Sequence, residues 1–246
     1  MSGHSKWSTI KRQKGATDAK RGAVFTKLGN NIAIATREGG GGDPESNFKL
    51  RLAIEKARQA NMPKENIARS IERGLGKGTE AGLENALYEG FGPGGIAVIV
   101  EAITDNKTRT GSELRNLFEK AGGHLGSSGA VAYMFTHLGE IEISKTSGTG
   151  GAVSFDEAFE KAAAVGAEDV EENPDSFFLY CEALDLHRVR EGLLASGMNV
   201  LSAELVYKPN KETLVTVADE TKREQVENFL ETVGDLDDVQ EVFVNI

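Results

Sequence analysis

Apolar residues recur every three or four positions through the first third of the chain, a spacing that predicts three amphipathic helices. We place these helices at residues 18–37, 43–60 and 63–74, with Asp43 as the N-cap of the second and Pro44 in its first turn. The apolar stripes are Val24, Leu28, Ile32 and Ala35, then Leu50, Ala53, Ile54 and Ala57, then Ile67 and Ile71. Helices this short are not stable in isolation, so we expect them to pack together as a small bundle.

The hydrophobic pattern changes after residue 94, where short β-branched and aromatic runs alternate with helical patterns. Strands are predicted at residues 95–104, 130–135, 141–143, 168–171, 177–182, 199–206, 214–217 and 239–244. Helices are predicted at residues 110–121, 155–165, 186–195 and 221–233. The first of these four begins with Thr110-x-x-Glu113, which has the form of a capping box.

The order of these elements predicts a nested architecture. The middle block is βαββαβ, a complete ferredoxin-like unit, and a βαβ half flanks it on each side. The predicted fold is therefore α+β and multidomain, with an N-terminal three-helix bundle followed by two ferredoxin-like α/β domains, one inserted into the other. We expect the bundle at residues 1–80, the discontinuous α/β domain at residues 81–136 plus 208–246, and the inserted α/β domain at residues 137–207.

Charge divides the chain close to the end of the predicted bundle. Residues 1–78 contain 16 Lys and Arg against 7 Asp and Glu, while residues 79–246 contain 12 against 31. The net charge of −10 thus hides a basic N-terminal third. Such a local cationic excess favours a polyanion as the partner of that end, with a solvated charged tail as the alternative.

The most basic segment is the arm that precedes the first helix. The leading nucleic-acid candidates in the arm and first helix are Lys6, Lys11, Arg12, Lys14, Lys20, Arg21 and Lys27. Lysine and arginine side chains neutralise phosphates, and Trp7 adds an indole that can stack on an unpaired base. The alternative for Trp7 is a hydrophobic peg that docks the arm on the bundle.

Four further cations are weaker candidates for phosphate contacts. Arg69 and Arg73 share one face of the third helix, which follows the second after a short turn, as in a helix-turn-helix. A solvated helix face explains them better, because no cluster of Asn, Gln and Arg indicates base readout. Lys107 and Arg109 lie between a strand end and a helix start, where loops often carry function, whereas we expect Asp105 and Asn106 to form only a turn and helix cap.

Several residues and motifs suggest nucleotide binding, metal binding or catalysis, but none has the neighbouring elements or spacing that such a site requires. Gly90–Gly95 matches G-x-G-x-x-G but leads into a strand, and Pro93 lacks the N–H of a phosphate cradle, so we interpret it as a turn or a partner loop. Residues 75–79 do not complete a P-loop, because Ile71 stands where the first glycine is needed. The four histidines lack ligand spacing, and Cys181 falls in a predicted strand. We expect no catalytic residue, no metal site and no cofactor.

Membrane association is also not expected. The longest apolar run, Ala130–Phe135, is far shorter than the roughly 18 residues of a membrane-spanning helix. A single cysteine excludes an internal disulfide framework and fits a reducing compartment.

Several blocks of the sequence resemble the YebC/PmpR family. They are GHSKW, DAKRGAVFTKL, GGGGDP, NMPKENIARSIERG, YEGFGPGG and DNKTRTGSELRNLFEKAGGHLGSSGAVAYMF. The resemblance implies a helical bundle followed by two α/β domains, the second discontinuous around the third. It also implies a cytoplasmic bacterial protein described as a probable DNA-binding transcriptional regulator, without established catalytic residues. The family resembles the mitochondrial translational activator of cytochrome oxidase subunit I, and some members are described as ribosome-associated factors that relieve stalling.

Two functional hypotheses follow. The leading one is a non-enzymatic transcriptional regulator that binds DNA through its basic N-terminal third. The alternative is a translation factor that binds ribosomal RNA or tRNA, and charge does not separate the two because both targets are phosphate backbones. In either case nucleic acid should repel the acidic α/β domains, which would remain free for a protein partner.

Overall fold

The structure of the protein, a computed structural model, describes residues 18–76 and 82–246. The helices in these ranges are α1 (Asp18–Glu38), α2 (Phe48–Gln59), α3 (Lys64–Gly74), α4 (Lys107–Lys120), α5 (Phe155–Val165), α6 (Leu186–Ala195) and α7 (Glu220–Gly234). The strands are β1 (Glu84–Phe91), β2 (Ala97–Thr104), β3 (His124–Leu125), β4 (Phe135–Ser144), β5 (Asp169–Glu172), β6 (Ser176–Glu182), β7 (Val200–Pro209) and β8 (Val239–Val244). They form two four-stranded antiparallel sheets, ordered β3-β1-β2-β8 and β5-β6-β4-β7.

The predicted fold class is confirmed, since helices precede two α/β arrangements and the segment of one interrupts the other. His137–Lys208 forms one compact unit, which we call the inserted unit. The described residues before it form a second unit with Pro209–Ile246, which we call the outer unit. The three N-terminal helices belong to this outer unit, and the division of the chain into three domains stays a prediction.

The three N-terminal helices enclose a small apolar core of their own. Its buried residues are Leu28, Ile32, Ala35, Leu50, Ala53, Ile54, Ala57, Met62 and Ile67. This set contains most of the predicted stripes, but Val24 is 43% exposed because it lies before the part of α1 that the other helices cover. Small residues allow α1 and α3 to approach closely, and a Cβ on Gly74 would lie 2.5 Å from the carbonyl oxygen of Ala33.

The start of α2 differs from the prediction. Asp43 does not cap the helix, because its carbonyl accepts the N–H groups of Ser46 and Asn47 in a turn that precedes it. The N-cap is Asn47, whose Oδ1 accepts the N–H of Leu50 at 3.0 Å. The amide of the same buried side chain donates to the carbonyl of Ala35 at 2.9 Å, so one residue begins α2 and fixes the end of α1.

The end of α2 is set by a backbone feature as well as by Pro63. Asn61 adopts a left-handed conformation with φ of 58°, as residues just after a helix commonly do. The N–H of Met62 then returns to the carbonyl of Ala57 at 2.9 Å, closing the helix. The result is a tight turn that leads directly into α3.

The outer sheet contains a strand that the sequence pattern did not predict. β1 pairs with β2 along its whole length, from Glu84 opposite Thr104 to Phe91 opposite Ala97. One face of the sheet packs on α4 and α7 through a cluster centred on Phe118 and Phe229, whose rings meet edge to face at 4.9 Å. On the other side, α1 contacts β2 and β8, so the helical bundle is docked on this sheet.

Three other predicted elements differ in the structure. Residues 130–134 are not a strand, because the N–H groups of Val131 and Ala132 bond to the carboxylate of Glu89 instead of a neighbouring strand. Residues 214–217 run as irregular backbone. Helix α4 begins at Lys107 rather than at Thr110, whose hydroxyl points inward to other side chains.

The inserted unit follows its predicted pattern closely. Its elements run β4-α5-β5-β6-α6-β7, and the strand order β5-β6-β4-β7 is that of a ferredoxin-like sheet. Cross-strand pairs such as Ile141 with Leu179 and Ile143 with Phe177 are buried. Within the described ranges, every helix is too short or too polar to cross a lipid bilayer.

Candidate nucleic-acid interface

Five of the candidate residues, Lys6, Trp7, Lys11, Arg12 and Lys14, lie outside the described residues. Lys20 belongs to the first turn of α1, and Arg21 follows it with an exposed side chain. The structure shows the surroundings of the candidates that lie on the helical bundle and beside the outer sheet.

Lys27 turns toward the protein. Its side chain is half-buried, and its ammonium donates to the carbonyl oxygen of Gly234 at 2.6 Å. Gly234 is the last residue of α7, where helix carbonyls lack internal partners and a positive charge is favourable. The contact gives Lys27 a structural role between the bundle and α7.

The two arginines of α3 occupy different environments. Arg69 is exposed, and its guanidinium donates to Asn66 Oδ1 at 2.9 Å on the same helix. Arg73 is half-buried and donates to Asn30 Oδ1 on α1 at 2.8 Å. Arg69 can therefore meet a phosphate without breaking the bundle, whereas Arg73 joins α1 to α3.

Lys107 and Arg109 are exposed but lie among carboxylates. The ammonium of Lys107 is 2.7 Å from a carboxylate oxygen of Glu84. The guanidinium of Arg109 lies 2.8 Å from Asp105 and 2.9 Å from Asp238. These local carboxylates offset both charges, so the pair offers less attraction to a polyanion than the sequence alone suggested.

The capping box predicted at Thr110 is wrong, because the N-cap of α4 is Asn106, one of the two residues expected to form a turn and helix cap. Asn106 Oδ1 accepts the N–H groups of Thr108 and Arg109 at 3.1 and 3.0 Å, which begins α4. Beside it, Asp238 accepts from the hydroxyls of Thr104 at 3.0 Å and Thr110 at 2.6 Å. Hydrogen bonds among protein side chains and backbone therefore fix the conformation of this loop.

The pKa of Asp238 reflects this network. Burial works to raise it, but hydrogen bonds from two threonine hydroxyls and from Arg109 outweigh burial and hold the pKa below the usual value of an aspartate. The carboxylate is therefore charged at neutral pH, and its role is to pin α4 to the start of β8.

Two exposed cations that sequence reasoning did not single out flank the turn between α2 and α3. Arg58 lies in the last turn of α2, and Lys64 is the first residue of α3. With Arg69 they form a cationic corner, which we call the α2–α3 corner. Their position in the sequence could have identified them, because cations beside a tight turn between two amphipathic helices remain outside the apolar core.

Other cations of the bundle serve the fold. Arg37 donates to the carbonyl of Leu83 just before β1. Arg51 donates to the carbonyls of the turn before α2. Lys56 lies 2.5 Å from Glu241 of β8 and links α2 to the outer sheet. The basic helices are thus held on the outer sheet and its flanking segments partly by their own charge.

Among the described residues, no group of three or more His, Cys, Asp and Glu side chains is arranged to hold a metal ion. Cys181 is fully buried in β6, and burial raises the pKa of its thiol to about 11. At neutral pH this thiol is protonated, so it is a poor nucleophile.

Two family descriptions together match most of the chain. The description "TACO1/YebC protein N-terminal domain" matches residues 5–77. The description "TACO1/YebC second and third domain" matches residues 83–246. The boundary between the two matches falls close to the change in net charge and precedes β1.

Proteins similar to this chain over its length are named probable transcriptional regulatory proteins. One from Chloroflexus aurantiacus is 48% identical and is aligned over 100% of this chain and 95% of its own length. One from Rubrobacter xylanophilus is 47% identical with the same two coverages. The crystal structure of a conserved hypothetical protein from Aquifex aeolicus shares the fold, with a TM-score of 0.83 and 43% identity over 97% of this chain and 95% of that one.

Proposed function

Because the chain belongs to the TACO1/YebC family, we propose that it regulates gene expression by binding DNA through its basic N-terminal third. The observation that carries the proposal is the charge division, with 16 cations against 7 acids in residues 1–78 and 12 against 31 afterwards. Relatives named probable transcriptional regulatory proteins support the regulatory reading.

The docked bundle supports an oriented mode of binding. Lys27 bonds to the end of α7 and Lys56 to Glu241 of β8, so the bundle is held against the outer sheet and does not turn freely about it. A polyanion would attract the arm and the α2–α3 corner and would repel the acidic remainder. Nucleic acid would thus meet the N-terminal third first, while acidic surface stays available to a protein partner.

The proposal assigns no chemical step to the protein. The sequence pairs no nucleophile with a base, and the protonated thiol of Cys181 is buried. Affinity would come from phosphate contacts, which depend on salt and carry no sequence information by themselves.

A second candidate function, binding of ribosomal RNA or tRNA in translation, is favoured by the surface of α3. Its exposed residues carry charges of both signs. They are Lys64, Glu65, Ala68, Arg69 and Glu72. Acidic side chains on this face would meet DNA phosphates if α3 entered a major groove, and no Asn, Gln or Arg cluster is available to read bases. This face suits recognition of backbone and shape better than recognition of an operator sequence.

The deciding experiment compares targets under one salt condition. The protein is titrated against promoter-containing DNA and a scrambled duplex, and is sedimented with ribosomes. A promoter preference of about 10³-fold would support transcriptional control, whereas ribosome association without DNA sequence preference would support the translational role.

Salt dependence tests the binding surface itself. Because Lys27 is engaged with Gly234, six cations of the arm and first helix remain for phosphates; if each meets one duplex phosphate, log K falls against log salt with a slope of about −5. A slope near zero, or unchanged binding after deletion of residues 1–21, would rule out the basic arm as the binding surface.

A further inference from the structure

The acidic part of the chain contains one surface built from acid-free sequence. The protein has 38 Asp and Glu in 246 residues, yet residues 90–100 and 120–139 contain none. The fold brings the two segments together, because β3 pairs with the end of β1 and the rings of Phe91 and His124 lie 5.3 Å apart. We call the exposed part of residues 90–96 and 121–134 the acid-free surface.

Tyr133 is the prominent side chain of this surface. It is 68% exposed and lies in a single 3-10 turn, Ala132–Met134. The exposed residues that precede it in the loop are Ser127, Ser128 and Gly129, which are small and polar or lack a side chain. The exposed residues that precede the ring in its loop are therefore small, and half-buried Met134 follows it.

A buried carboxylate accepts hydrogen bonds from the backbone of this loop. Glu89 is only 4% exposed, and its two oxygens accept the N–H groups of Gly129, Val131 and Ala132 at 2.7 to 2.8 Å. Burying a charge is costly unless hydrogen bonds compensate, and here three backbone donors supply them. The loop that carries the tyrosine is thus fixed by an interaction that would be costly to break.

The far side of the loop is fixed as well. The side-chain amide of Asn210 donates to the carbonyl of Tyr133 at 3.0 Å, and the hydroxyl of Thr213 donates to the carbonyl of Met134 at 3.0 Å. Residues on both sides of the tyrosine are therefore held before any partner arrives. A rigid, preformed contact loses little entropy on binding.

We propose that Tyr133 is a stacking platform for an unpaired base of the nucleic acid that the basic N-terminal third holds. This inference rests on the proposed function and adds a second contact on the outer unit. An aromatic ring stacks on any base, and phosphates can approach here because these segments bring no carboxylate to the surface. A base suits this site better than an apolar side chain of a protein, because the exposed residues that precede the ring are Ser127, Ser128 and Gly129, which are polar or lack a side chain.

The test measures the affinity of the whole protein for three probes of one sequence: a labelled 12-nucleotide single-stranded RNA, its DNA counterpart and the corresponding duplex. Tyr133→Ala should weaken single-strand binding about 5- to 150-fold, the range for loss of one stacked base. Duplex binding and its salt slope should not change, and Tyr133→Trp should restore single-strand affinity. Comparison of the RNA and DNA arms identifies which strand the platform prefers.

Phe159→Ala is the matched control, because Phe159 is also an exposed aromatic residue but lies on α5 of the inserted unit. It should leave binding of all three probes unchanged. Tyr133→Ala should unfold at the wild-type temperature, since it removes a ring that is 68% exposed. Ultraviolet cross-linking followed by mass spectrometry should locate the single strand on the peptide that contains Tyr133.

The outcomes separate this inference from the function on which it rests. A wild-type protein that binds none of the probes contradicts the proposed function. A wild-type protein that binds single strands with the same affinity as Tyr133→Ala overturns the platform alone. An equal loss in Tyr133→Ala and Phe159→Ala also overturns it, because the effect would then not be specific to this surface.

Discussion

The ammonium of Lys27 and the carbonyl oxygen of Gly234 are 2.6 Å apart, although 207 positions of sequence separate the two residues. The bond places a cation at the C-terminal end of α7 and ties α1 to the last part of the outer unit. The charge pattern selects Lys27 as a candidate phosphate contact. In the folded chain its ammonium instead bonds α1, in the basic third, to α7, in the acidic remainder.

Replacement of Lys27 by alanine should therefore affect stability more than binding. Loss of a half-buried, charge-assisted hydrogen bond should lower the free energy of unfolding by about 1–3 kcal/mol. Urea denaturation followed by circular dichroism measures this change. The matched variant is Arg21→Ala, which removes an exposed cation from the same helix and should weaken nucleic-acid binding with little loss of stability.

Lys27→Ala should lower stability more than Arg21→Ala does, whereas Arg21→Ala should weaken nucleic-acid binding more than Lys27→Ala does. If Lys27→Ala kept wild-type stability and lost nucleic-acid affinity, the side chain would contact phosphate and the bond to Gly234 would be dispensable. Equal effects of both variants on stability would likewise contradict a specific role for this bond.

Gly22 and Gly74 differ in the space around them and so offer a paired test of helix packing. A Cβ on Gly74 would come within 2.5 Å of the carbonyl oxygen of Ala33, so Gly74→Ala should separate α1 from α3 and cost about 1–3 kcal/mol. Gly22 lies in α1 with open space around the same position, so Gly22→Ala should stabilise the protein by about 0.5–1 kcal/mol through helix propensity. Thermal unfolding of both variants measures the difference, and equal shifts would contradict close packing at Gly74.

Sequence periodicity predicted those parts of the fold in which one face of an element is buried. Residues 155–165 and 186–195 appear as helices with the predicted bounds, and the inserted unit has the predicted element order. β1 was not predicted, because Glu84, Asn85 and Glu89 interrupt its apolar pattern and its pairing with β2 decides its conformation. Long-range hydrogen bonds of this kind leave no local signal.

The candidate site was predicted less completely than the fold. Charge counting selects Lys27 and Arg73 as readily as Arg69, but only the folded chain shows that the first two bond to Gly234 and Asn30. The rigid setting of Tyr133 likewise depends on residues far away in sequence, such as Glu89 and Asn210. Sequence composition identifies a basic third, whereas tertiary structure decides which cations remain outside.

Asp238 should give the protein an acid-labile increment of stability. Since its pKa is lower in the folded state than in the unfolded chain, the stabilisation is present above about pH 4 and is lost as the pH falls through the folded value. Asp238→Asn should destabilise the protein by about 1–3 kcal/mol at pH 7, and by progressively less in acid. Urea titrations at several pH values measure the convergence.

Asp237→Asn is the matched control, because Asp237 is the exposed neighbour of Asp238. Its stability should follow that of the wild type at every pH. A constant difference between Asp238→Asn and wild type from pH 7 down to pH 3 would contradict the lowered pKa of Asp238.

Cys181 should be protected from thiol reagents in the folded protein. Its side chain is fully buried, and with a pKa of about 11 only about one thiol in a thousand is ionised at pH 8. Labelling by a chromogenic disulfide reagent should be slow in buffer and fast in denaturing urea. Rapid stoichiometric labelling of the native protein would show that β6 opens readily and that burial does not set the reactivity.

The α2–α3 corner gives the most direct test of the described part of the binding surface. Arg58 and Lys64 are exposed beside the turn, so their replacement by alanine should weaken nucleic-acid binding without loss of stability. If each contacts one phosphate, the double variant should reduce the magnitude of the salt slope by about 2 and lower affinity to a similar extent for every sequence. The matched control replaces Arg115 and Lys222, two exposed cations on α4 and α7, and should leave the slope unchanged. Equal slopes for both double variants would exclude Arg58 and Lys64 as phosphate contacts.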